Sequence, residues 1–387
     1  MCPMISHFAE STTGSSVVEF RRMADALEAK GITIVDFGIG EPDFEAPPIV
    51  SEALIAAIES GKGKYVDPSG LPELQKAIAE FEKTQHGLVV DPDQVVVTTG
   101  SVGALSLASR ALFDPGDEVL LLEPCYGPYR NLTRLTGAVP VGVAMPREKG
   151  RFIVDPDRLA AAITAKTKAV IVNTPWNPTG RVLTRPELHA IADIAERHDL
   201  WILSDEVYRG AELNGVECRS FVGATEKTIV NAGLSKAYSL PGLRIGWTIG
   251  SKEYIEKAWS FHDFTVINVS YISDWIASRI LTDERRIKIL NRTKDHLNHN
   301  LDMLCDWAAD IPSISLSKPE AAAITFAKIN LDINSEEFVF DLRDNYSVLL
   351  TAGKWHGLEG YVRFGYGTPT EYVEGALSRV KSFLKNK

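Results

Sequence analysis

The sequence predicts an α/β fold in which a mainly parallel central sheet is covered by helices on both faces. The first support is a set of short runs rich in Val, Ile and Leu, at residues 94–99, 118–123, 168–173, 200–206 and 227–233. Uninterrupted apolar runs of this length are typical of strands that are buried on both faces. The second support is the helical patterns that separate several of these runs, at residues 101–112, 127–137 and 185–199. Such alternation of strands and helices is typical of α/β proteins.

Two further helices are predicted before the first strand, at residues 47–61 and 71–87. Pro72 stands near the first turn of the second helix and Gly87 stands just past its end. Proline fits the first turn of a helix and glycine fits the residue after its last turn, so both boundaries agree with the pattern.

The pattern changes after about residue 250. Residues 273–310 predict a long helix with at most brief breaks, and strands at 321–329 and 361–367 are followed by a terminal helix. We therefore expect a large domain and a smaller α/β C-terminal domain. The expected division is an N-terminal segment that packs with the small domain (1–45), a large domain (46–285) and a small domain (286–387).

Composition excludes several classes of protein. A chain of 387 residues with a net charge of −10 is long enough for two domains and too acidic for broad nucleic-acid binding. No apolar run approaches the ~20 residues of a membrane span. The first residues, MCPMISHFAESTTG, do not have the pattern of a signal peptide. The four cysteines are scattered without metal-binding spacing, so we expect no metal, reduced thiols and a cytoplasmic location.

The carboxyl ends of the predicted strands carry candidate functional residues, because ligands of open α/β sheets bind there. After residues 94–99, a helix begins near Gly100, and the N–H groups of Ser101 and Val102 are expected to favour an anion. Alternatively, this is a plain strand-to-helix turn. After residues 118–123, Tyr126 either stacks on a flat ring or packs in the core.

Two more strand ends carry polar groups. In NTPWNPTG (173–180), neighbouring prolines restrict the backbone around Asn177, so its amide is either aimed at a ligand or is part of a loop. In ILSDEVYRG (202–210), Asp205 closes an apolar strand, where a buried carboxylate needs a partner. Asp205 suits a protonated ring nitrogen and Tyr208 suits a ring oxygen. The alternative is a solvated loop carboxylate.

The stretch GLSKAYSLPGLRIGW (233–247) places an amine, a bend and a guanidinium close together. Strand 227–233 leads directly to Ser235 and Lys236, and Arg244 follows eight residues after the lysine. An arginine can donate two parallel hydrogen bonds to a phosphate. Lys236 is therefore a candidate for a Schiff base beside a bound phosphate. The alternative is a surface lysine next to a turn.

Taken together, these motifs resemble those of the class I/II aminotransferases, which are pyridoxal-phosphate-dependent enzymes of fold type I in the aspartate aminotransferase superfamily. The resemblance covers nearly the whole chain. It is carried, in this order, by FGIGEPDF (37–44), KYVDPSGLPELQKAIA (64–79), TTGSVGAL (98–105), EPCYGPY (123–129), NTPWNPTG (173–180), SDEVY (204–208), SKAYSLPGLRIGW (235–247) and GYVRFGYG (360–367). It implies the fold type I architecture and pyridoxal 5′-phosphate as cofactor.

The resemblance also implies roles for individual residues. Lys236 corresponds to the lysine that forms the Schiff base and then carries a proton between the substrate α-carbon and the cofactor. Asp205 is expected to keep the pyridine nitrogen protonated, Tyr126 to stack on the ring, and Asn177 and Tyr208 to bind the ring oxygen. The phosphate is expected to contact backbone groups of Ser101 and Val102, with Ser235 and Arg244.

Substrate and subunit contacts are implied in the same way. Arg363 resembles the arginine that binds the substrate α-carboxylate, and Gly40 leaves room for that substrate, which Asn177 also contacts. Tyr65 resembles the tyrosine that reaches the phosphate of a partner subunit, which implies a homodimer with shared active sites. The implied reaction moves an amino group from an L-amino acid to a 2-oxo acid.

Departures from the family pattern concern the substrate more than the chemistry. Gly233 stands where relatives often have a hydroxyl, which predicts one fewer phosphate contact, and Trp176 replaces Asn or His. In LLTAGKWHG (349–357), Ala352 and the Lys354-Trp355-His356 run replace the usual residues near the substrate.

Two alternatives to amino transfer remain open from the sequence. SKAYSLPGLRIGW (235–247) followed by residues 262–277 also resembles a subgroup that includes capreomycidine synthase, so a cyclase or a β/γ-eliminating lyase acting on a hydroxylated, arginine-like amino acid is one of them. The other is a non-catalytic regulator of the same fold. The segment before residue 37 is short and not basic, which disfavours an added DNA-binding domain.

Overall fold

The computed structural model describes residues 14–40, 42 and 45–387. Three residues of the FGIGEPDF motif, Glu41, Asp43 and Phe44, lie outside the described residues, and so does the start of the predicted N-terminal segment.

The predicted helices lie within a few residues of their expected positions. In chain order the helices of the structure are α1 (Ser16–Glu28), α2 (Pro48–Glu59), α3 (Pro72–His86), α4 (Gly100–Leu112), α5 (Pro128–Arg134), α6 (Pro156–Ala161), α7 (Arg185–Arg197), α8 (Lys252–Thr265), α9 (Tyr271–Ile280), α10 (Asp283–Ala309), α11 (Ser335–Tyr346) and α12 (Thr370–Leu384). Of these, α1, α6, α8 and α11 were not predicted. The long pattern at 273–310 is divided between α9 and α10 by a break of two residues, as predicted. Pro72 begins α3, and Gly87 ends it with a left-handed φ of 68°.

The strands form one large sheet, one smaller sheet and two short pairs. In chain order they are β1 (Val35–Asp36), β2 (Val95–Thr99), β3 (Glu118–Glu123), β4 (Val139–Ala144), β5 (Arg147–Glu148), β6 (Arg151–Phe152), β7 (Thr167–Asn173), β8 (Trp201–Asp205), β9 (Thr228–Gly233), β10 (Ile245–Ile249), β11 (Ile314–Leu316), β12 (Ile324–Ile329), β13 (Val348–Leu349), β14 (Thr351–Ala352) and β15 (Tyr361–Gly365).

The large sheet has seven strands in the order β2-β10-β9-β8-β7-β3-β4. Only β10 is antiparallel to its neighbours, so β2, β3, β7, β8 and β9 all point the same way. The predicted α/β class and mainly parallel sheet are confirmed. Strands β4 and β10 were not predicted, because glycine and polar residues interrupt their apolar runs.

Alternate residues of these strands face two different cores. Leu120, Val170 and Ile202 pack on one side of the sheet with residues of α3, α7 and α9. Leu121 and Leu203 pack on the other side with residues of α4 and α8. Burial on both faces explains why the strands read as uninterrupted apolar runs. Because β4 also runs parallel to β3, six of the seven strands point the same way, and their carboxyl ends lie at one edge of the sheet.

A second assembly surrounds the smaller antiparallel sheet, which has the order β11-β12-β15-β14. Its core joins residues of α10, α11 and α12 to Phe20 and Phe37 near the start of the described chain. Strand β1 pairs in parallel with β13. The division at residues 45 and 285 stays a prediction.

Within the described part of the chain, no helix combines the length and the apolar character that crossing a membrane requires.

Candidate active site

A cavity of about 520 Å³ lies at the carboxyl edge of the large sheet, where it meets the second assembly. It is lined by loops that follow the parallel strands and by residues of β15 and of the N-terminal stretch. Of the residues that the sequence predicts for the site, those lining the cavity are Gly40, Ser101, Val102, Tyr126, Asn177, Asp205, Tyr208, Ser235, Lys236, Arg244 and Arg363. Tyr65 does not line it, and its side chain is 82% exposed.

Lys236 lies on the turn that follows β9. The backbone carbonyl of Lys236 accepts a hydrogen bond from the Ser239 amide at 3.2 Å. Ser239 and Arg244 both have left-handed backbones, with φ of 54° and 51°. Such a conformation costs a non-glycine residue roughly 1–3 kcal/mol and is most often found at functional sites. The turn brings the guanidinium of Arg244 back towards Ser235.

The start of α4 and Arg244 form a cradle with room for an anion. Arg244 Nη1 donates to Ser235 Oγ at 3.4 Å and to the Pro241 carbonyl at 2.9 Å. Gly100 begins α4 with φ of 75°, and a Cβ at this position would lie 2.4 Å from Arg244 Nη2. The first N–H groups of a helix point along its axis and bind anions. This geometry fits a phosphate between α4 and Arg244.

Gly233, where the family often has a hydroxyl, lies at the same place. A Cβ on Gly233 would lie 3.0 Å from the Ile245 carbonyl oxygen and 3.5 Å from the Ser101 amide nitrogen. A side chain here would point beside the cradle, so the glycine removes a contact that a hydroxyl could make there.

Asp205 lies at the end of β8 with its side chain buried. Its Oδ2 accepts a hydrogen bond from the Tyr129 hydroxyl at 2.7 Å, and its Oδ1 accepts one from the Val207 amide at 3.2 Å. Burial raises the pKa of Asp205 to about 6, although both hydrogen bonds favour the carboxylate. A protonated ring nitrogen would supply the positive charge that offsets this burial.

Tyr129 was not among the predicted site residues, although it ends the motif EPCYGPY (123–129). It lies in the first turn of α5, three residues after Tyr126, and the two rings meet edge to face with centroids 5.4 Å apart. A helical spacing from Tyr126 was the only signal in the sequence.

Asn177 connects the two halves of the cavity. Its Nδ2 donates to the Tyr208 hydroxyl at 3.3 Å, and its Oδ1 accepts from Arg363 Nη1 at 2.9 Å. Its backbone N–H donates to Asn173 Oδ1 at 2.7 Å, and the Asn173 amide in turn donates to the Asp205 carbonyl. The amide of Asn177 is therefore held in one orientation, as the flanking prolines suggested.

Arg363 lies on β15, and only 6% of it is exposed. Its Nη1 is bound by Asn177, and its Nη2 donates to the Gly38 carbonyl at 2.6 Å. Its Nε is buried and has no hydrogen-bond partner among the described residues. Gly40 lies beside it, and a Cβ there would be 2.5 Å from Ile324 Cγ2. The absence of a side chain at Gly40 lets the N-terminal stretch approach the guanidinium.

The aromatic residues near the motifs divide between cavity and core. Trp176 is buried and donates from Nε1 to the Pro124 carbonyl at 2.8 Å. Tyr238 is buried against Arg286. Neither lines the cavity, whereas Trp355 and His356 do, which belong to LLTAGKWHG (349–357), the segment that differs from the family pattern.

The residues present fit pyridoxal 5′-phosphate. The cradle of α4 and Arg244 suits its phosphate, the buried carboxylate of Asp205 suits its ring nitrogen, and the phenol of Tyr208 suits its ring oxygen. Lys236 lines the same cavity. Among the described residues, no cluster of His, Cys, Asp or Glu could hold a metal ion.

Comparison with known proteins gives the same result over the whole chain. The family model described as aminotransferase class I and II matches residues 32–380. A probable aspartate/prephenate aminotransferase of Thermus aquaticus is 32% identical over 382 residues, which cover 98% of this chain and 99% of that protein.

Solved structures agree with the architecture. Aspartate aminotransferase from Thermus thermophilus with maleate superposes with a TM-score of 0.93 at 31% identity, covering 98% of this chain and 99% of that chain. An alanine aminotransferase from Pyrococcus furiosus gives a TM-score of 0.92 at 32% identity, covering 99% and 100%. The chain therefore belongs to the class I and II aminotransferases, and it is a pyridoxal-phosphate-dependent enzyme that transfers amino groups.

Proposed function

We propose that this enzyme takes the amino group of an L-amino acid whose α-carboxylate is bound by Arg363. The observation that carries the proposal is the buried Arg363 Nε, which has no hydrogen-bond partner among the described residues and belongs to a cavity that Lys236 also lines. A buried N–H without an acceptor is costly, and a carboxylate would satisfy it with a charge-assisted hydrogen bond. Asn177 holds the guanidinium of Arg363 in place through Nη1, so the carboxylate bound at Nε would also be held in one orientation.

The bound cofactor supplies an electron sink for the pair of electrons released at the substrate α-carbon. Lys236 would hold the cofactor through a Schiff base and, once released by the substrate amine, would serve as the base and acid that moves the α-proton. Asp205 would keep the ring nitrogen protonated, with its carboxylate held by Tyr129. Tyr126 would pack against the ring, and Asn177 and Tyr208 would bind its oxygen. The start of α4 and Arg244 would hold the phosphate, together with Ser101, Val102 and Ser235.

A dicarboxylic amino acid is the substrate class we propose. Arg134 lines the cavity, its side chain is exposed, and no described carboxylate pairs with it. Arg130 also lines the cavity but is bound to Glu123. Arg134 is therefore available for a second carboxylate. The proposal agrees with the aspartate/prephenate aminotransferase named among the relatives.

We also propose a homodimer in which Tyr65 reaches the phosphate of the partner subunit. The support is an exposed apolar side chain on a helix that contacts the chain close to Tyr65. His262 of α8 contacts the carbonyl of Pro68, three residues after Tyr65, through its Nδ1. The same helix carries Phe264, which is 90% exposed. Exposed apolar surface of this kind marks protein interfaces. Light scattering of the wild type should give twice the chain mass, and Phe264→Asp should shift it towards one chain.

A cytoplasmic location is proposed as well. It is supported by the free thiols of Cys125, Cys218 and Cys305, since thiols stay reduced in that compartment. Cell fractionation that recovers the activity outside the cytoplasmic fraction would contradict it.

The decisive experiment mixes the holoenzyme with single L-amino acids, without any 2-oxo acid, and measures the 2-oxo acid formed per bound cofactor. Aspartate and glutamate should each give close to one equivalent, and alanine, phenylalanine and arginine less at equal concentration. A cyclised or ammonia-releasing product without 2-oxo acid would contradict amino transfer and favour the cyclase or lyase alternative.

Two variants test the roles of Arg363 and Arg134 separately. Arg363→Lys should raise KM for every amino acid by about a hundredfold, because a lysine has no Nε–H fixed in place by hydrogen bonds to Asn177 and Gly38. Arg134→Gln should raise KM for aspartate by roughly fivefold and leave KM for alanine unchanged, since an exposed ion pair contributes little. Equal effects of Arg134→Gln on both substrates would contradict the dicarboxylate proposal.

A further inference from the structure

The loop after β14 places an unusual histidine in the cavity wall. Residues Gly353–His356 form a single tight turn, and the side chain of His356 is buried while the residue lines the cavity. This turn belongs to the segment LLTAGKWHG, which departs from the family pattern. The function proposed above gives it no role.

His356 joins this turn to the loop that carries Tyr126 through two reciprocal hydrogen bonds. The Cys125 N–H donates to the His356 carbonyl at 2.9 Å, and His356 Nδ1 contacts the Cys125 carbonyl at 3.0 Å. The two loops also touch at Gly127, where a Cβ would lie 2.6 Å from the Trp355 carbonyl oxygen. We call this pair of hydrogen bonds the Cys125–His356 link.

The imidazole of His356 is neutral. Burial, together with the nearby charge of Arg363, lowers its pKa to about 3. Because the Cys125 carbonyl can only accept, Nδ1 carries the proton and Nε2 is an acceptor facing the Thr351 hydroxyl at 3.4 Å. The ring also meets Phe326 of β12 edge to face, with centroids 5.8 Å apart.

Both ends of the link lie next to groups of the active site. Cys125 precedes Tyr126, the residue proposed to pack against the cofactor ring. On the other side, Thr351 of β14 is paired across the sheet with Arg363 of β15. The link therefore spans from the loop that holds the ring to the strands that hold the carboxylate-binding arginine.

We propose that His356 is a positioning residue that sets the distance between Tyr126 and Arg363. The proposal rests on the function proposed above, since it assigns the ring to one end of the link and the α-carboxylate to the other. The substrate would be bonded to the cofactor through its amine and bound to Arg363 through its carboxylate. A small change in the distance between Tyr126 and Arg363 would therefore weaken substrate binding. Most of the affinity for the cofactor is expected from the bond to Lys236, the cradle and Asp205, so a small shift of Tyr126 should change this affinity much less than it changes substrate binding.

The outer side of the same turn has a separate anchor. Lys354 Nζ and Trp355 Nε1 both bind Glu336 of α11, at 2.6 and 2.9 Å. Lys354 is exposed and does not line the cavity. Lys354→Ala therefore serves as a control that loosens the turn without removing the link.

Two substitutions of His356 separate the hydrogen bond from the packing. His356→Asn keeps a δ-nitrogen donor for the Cys125 carbonyl and loses the ring. His356→Phe keeps a ring against Phe326 and leaves the buried carbonyl without its donor. If the link positions the two groups, His356→Phe should raise KM for the amino acid about tenfold, with kcat and the cofactor dissociation constant within twofold of wild type. His356→Asn and Lys354→Ala should both keep KM within about threefold.

Other outcomes would overturn the proposal. A wild-type KM in His356→Phe would show that ring packing is sufficient, and equal losses in His356→Asn and His356→Phe would show that the hydrogen bond does not matter. A parallel loss of cofactor affinity would indicate a general structural role. If the wild type transfers no amino group, the proposed function fails, but crystal structures of the variants still test the link. In those structures His356→Phe should change the distance between Tyr126 and Arg363, and His356→Asn should not.

Discussion

The Tyr129 hydroxyl donates to Asp205 Oδ2 at 2.7 Å, and both side chains are buried. This hydrogen bond joins the first turn of α5 to the end of β8. It stabilises the charged form of Asp205 and so opposes the burial that raises the pKa of this carboxyl to about 6. Tyr129 therefore supports the charge that a protonated ring nitrogen needs.

Replacing Tyr129 with phenylalanine should shift cofactor binding to higher pH. Without the hydrogen bond, the pKa of Asp205 in the apoenzyme rises above about 6, so less carboxylate is present at neutral pH. Cofactor affinity of the wild-type apoenzyme should fall as pH drops through 6, and the same fall in Tyr129→Phe should begin at a higher pH. Titration of the apoenzyme with pyridoxal phosphate between pH 5 and 8 measures both curves. Coincident curves would show that the hydrogen bond does not control Asp205.

The sequence predicted the parts of the site that follow from strand ends. Asp205, Asn177 and Lys236 each come directly after an apolar run, and parallel strands bring such ends to one edge. Tyr129 and His356 could not be found this way. Their contacts join segments 76 and 231 residues apart, which depend on how the chain packs and not on any local pattern. Strand β10 was not predicted because Gly246 and Thr248 interrupt its short apolar run.

Adding a methyl group at Gly100 should weaken cofactor binding. Gly100 has φ of 75°, which disfavours any other residue by about 1 kcal/mol, and its Cβ would lie 2.4 Å from Arg244 Nη2. The arginine side chain can move away, but it then leaves the cradle. Gly100→Ala should therefore raise the cofactor dissociation constant at least about tenfold, as measured by equilibrium dialysis.

The matched control for Gly100→Ala is Gly103→Ala in the same helix. A Cβ on Gly103 would have its closest contact at 3.7 Å, which is ordinary packing distance. This variant should bind the cofactor normally and gain up to about 1 kcal/mol of stability from the better helix former. Weaker cofactor binding in both variants would show that any change in α4 lowers the affinity, and not the loss of glycine at residue 100 in particular.

Replacing Asp274 with asparagine should stabilise the protein at high pH. Asp274 is fully buried on α9, its Oδ2 accepts from the Leu71 N–H at 2.8 Å, and its Oδ1 has no partner among the described residues. Burial raises its pKa from 3.8 to about 7. The folded protein therefore holds a proton here that the unfolded chain has released, and wild-type stability falls as pH rises from about 4 to 7.

Asparagine keeps the acceptor for Leu71 and carries no charge. Thermal unfolding should give similar midpoints for wild type and Asp274→Asn near pH 4, and a higher midpoint for the variant at pH 8, with a free-energy difference of up to about 4 kcal/mol. Asp306→Asn, at an exposed position on α10, is the control and should change little at either pH. A gap that does not grow with pH would show that Asp274 ionises at the same pH in the folded protein as in the unfolded chain.

Breaking the buried ion pair between Arg209 and Glu82 should be the most destabilising of these changes. Both side chains are almost completely buried, Arg209 binds both carboxylate oxygens of Glu82, and its Nη1 lies 3.3 Å from Glu206 Oε2. Arg209→Met would leave two buried carboxylates without their cation. We expect a loss of about 3–5 kcal/mol in the free energy of unfolding, measured by urea denaturation.

Removing a partner together with Arg209 tests the cause of that loss. In Arg209→Met/Glu82→Leu one carboxylate is gone, so the double variant should be more stable than Arg209→Met alone. The exposed pair of Lys227 and Asp199 is the control, and Lys227→Met should cost less than about 1 kcal/mol because solvent already screens the pair. If the double variant were the less stable of the two, the loss would come from packing around Phe81, against which the Arg209 guanidinium lies, and not from unpaired charge.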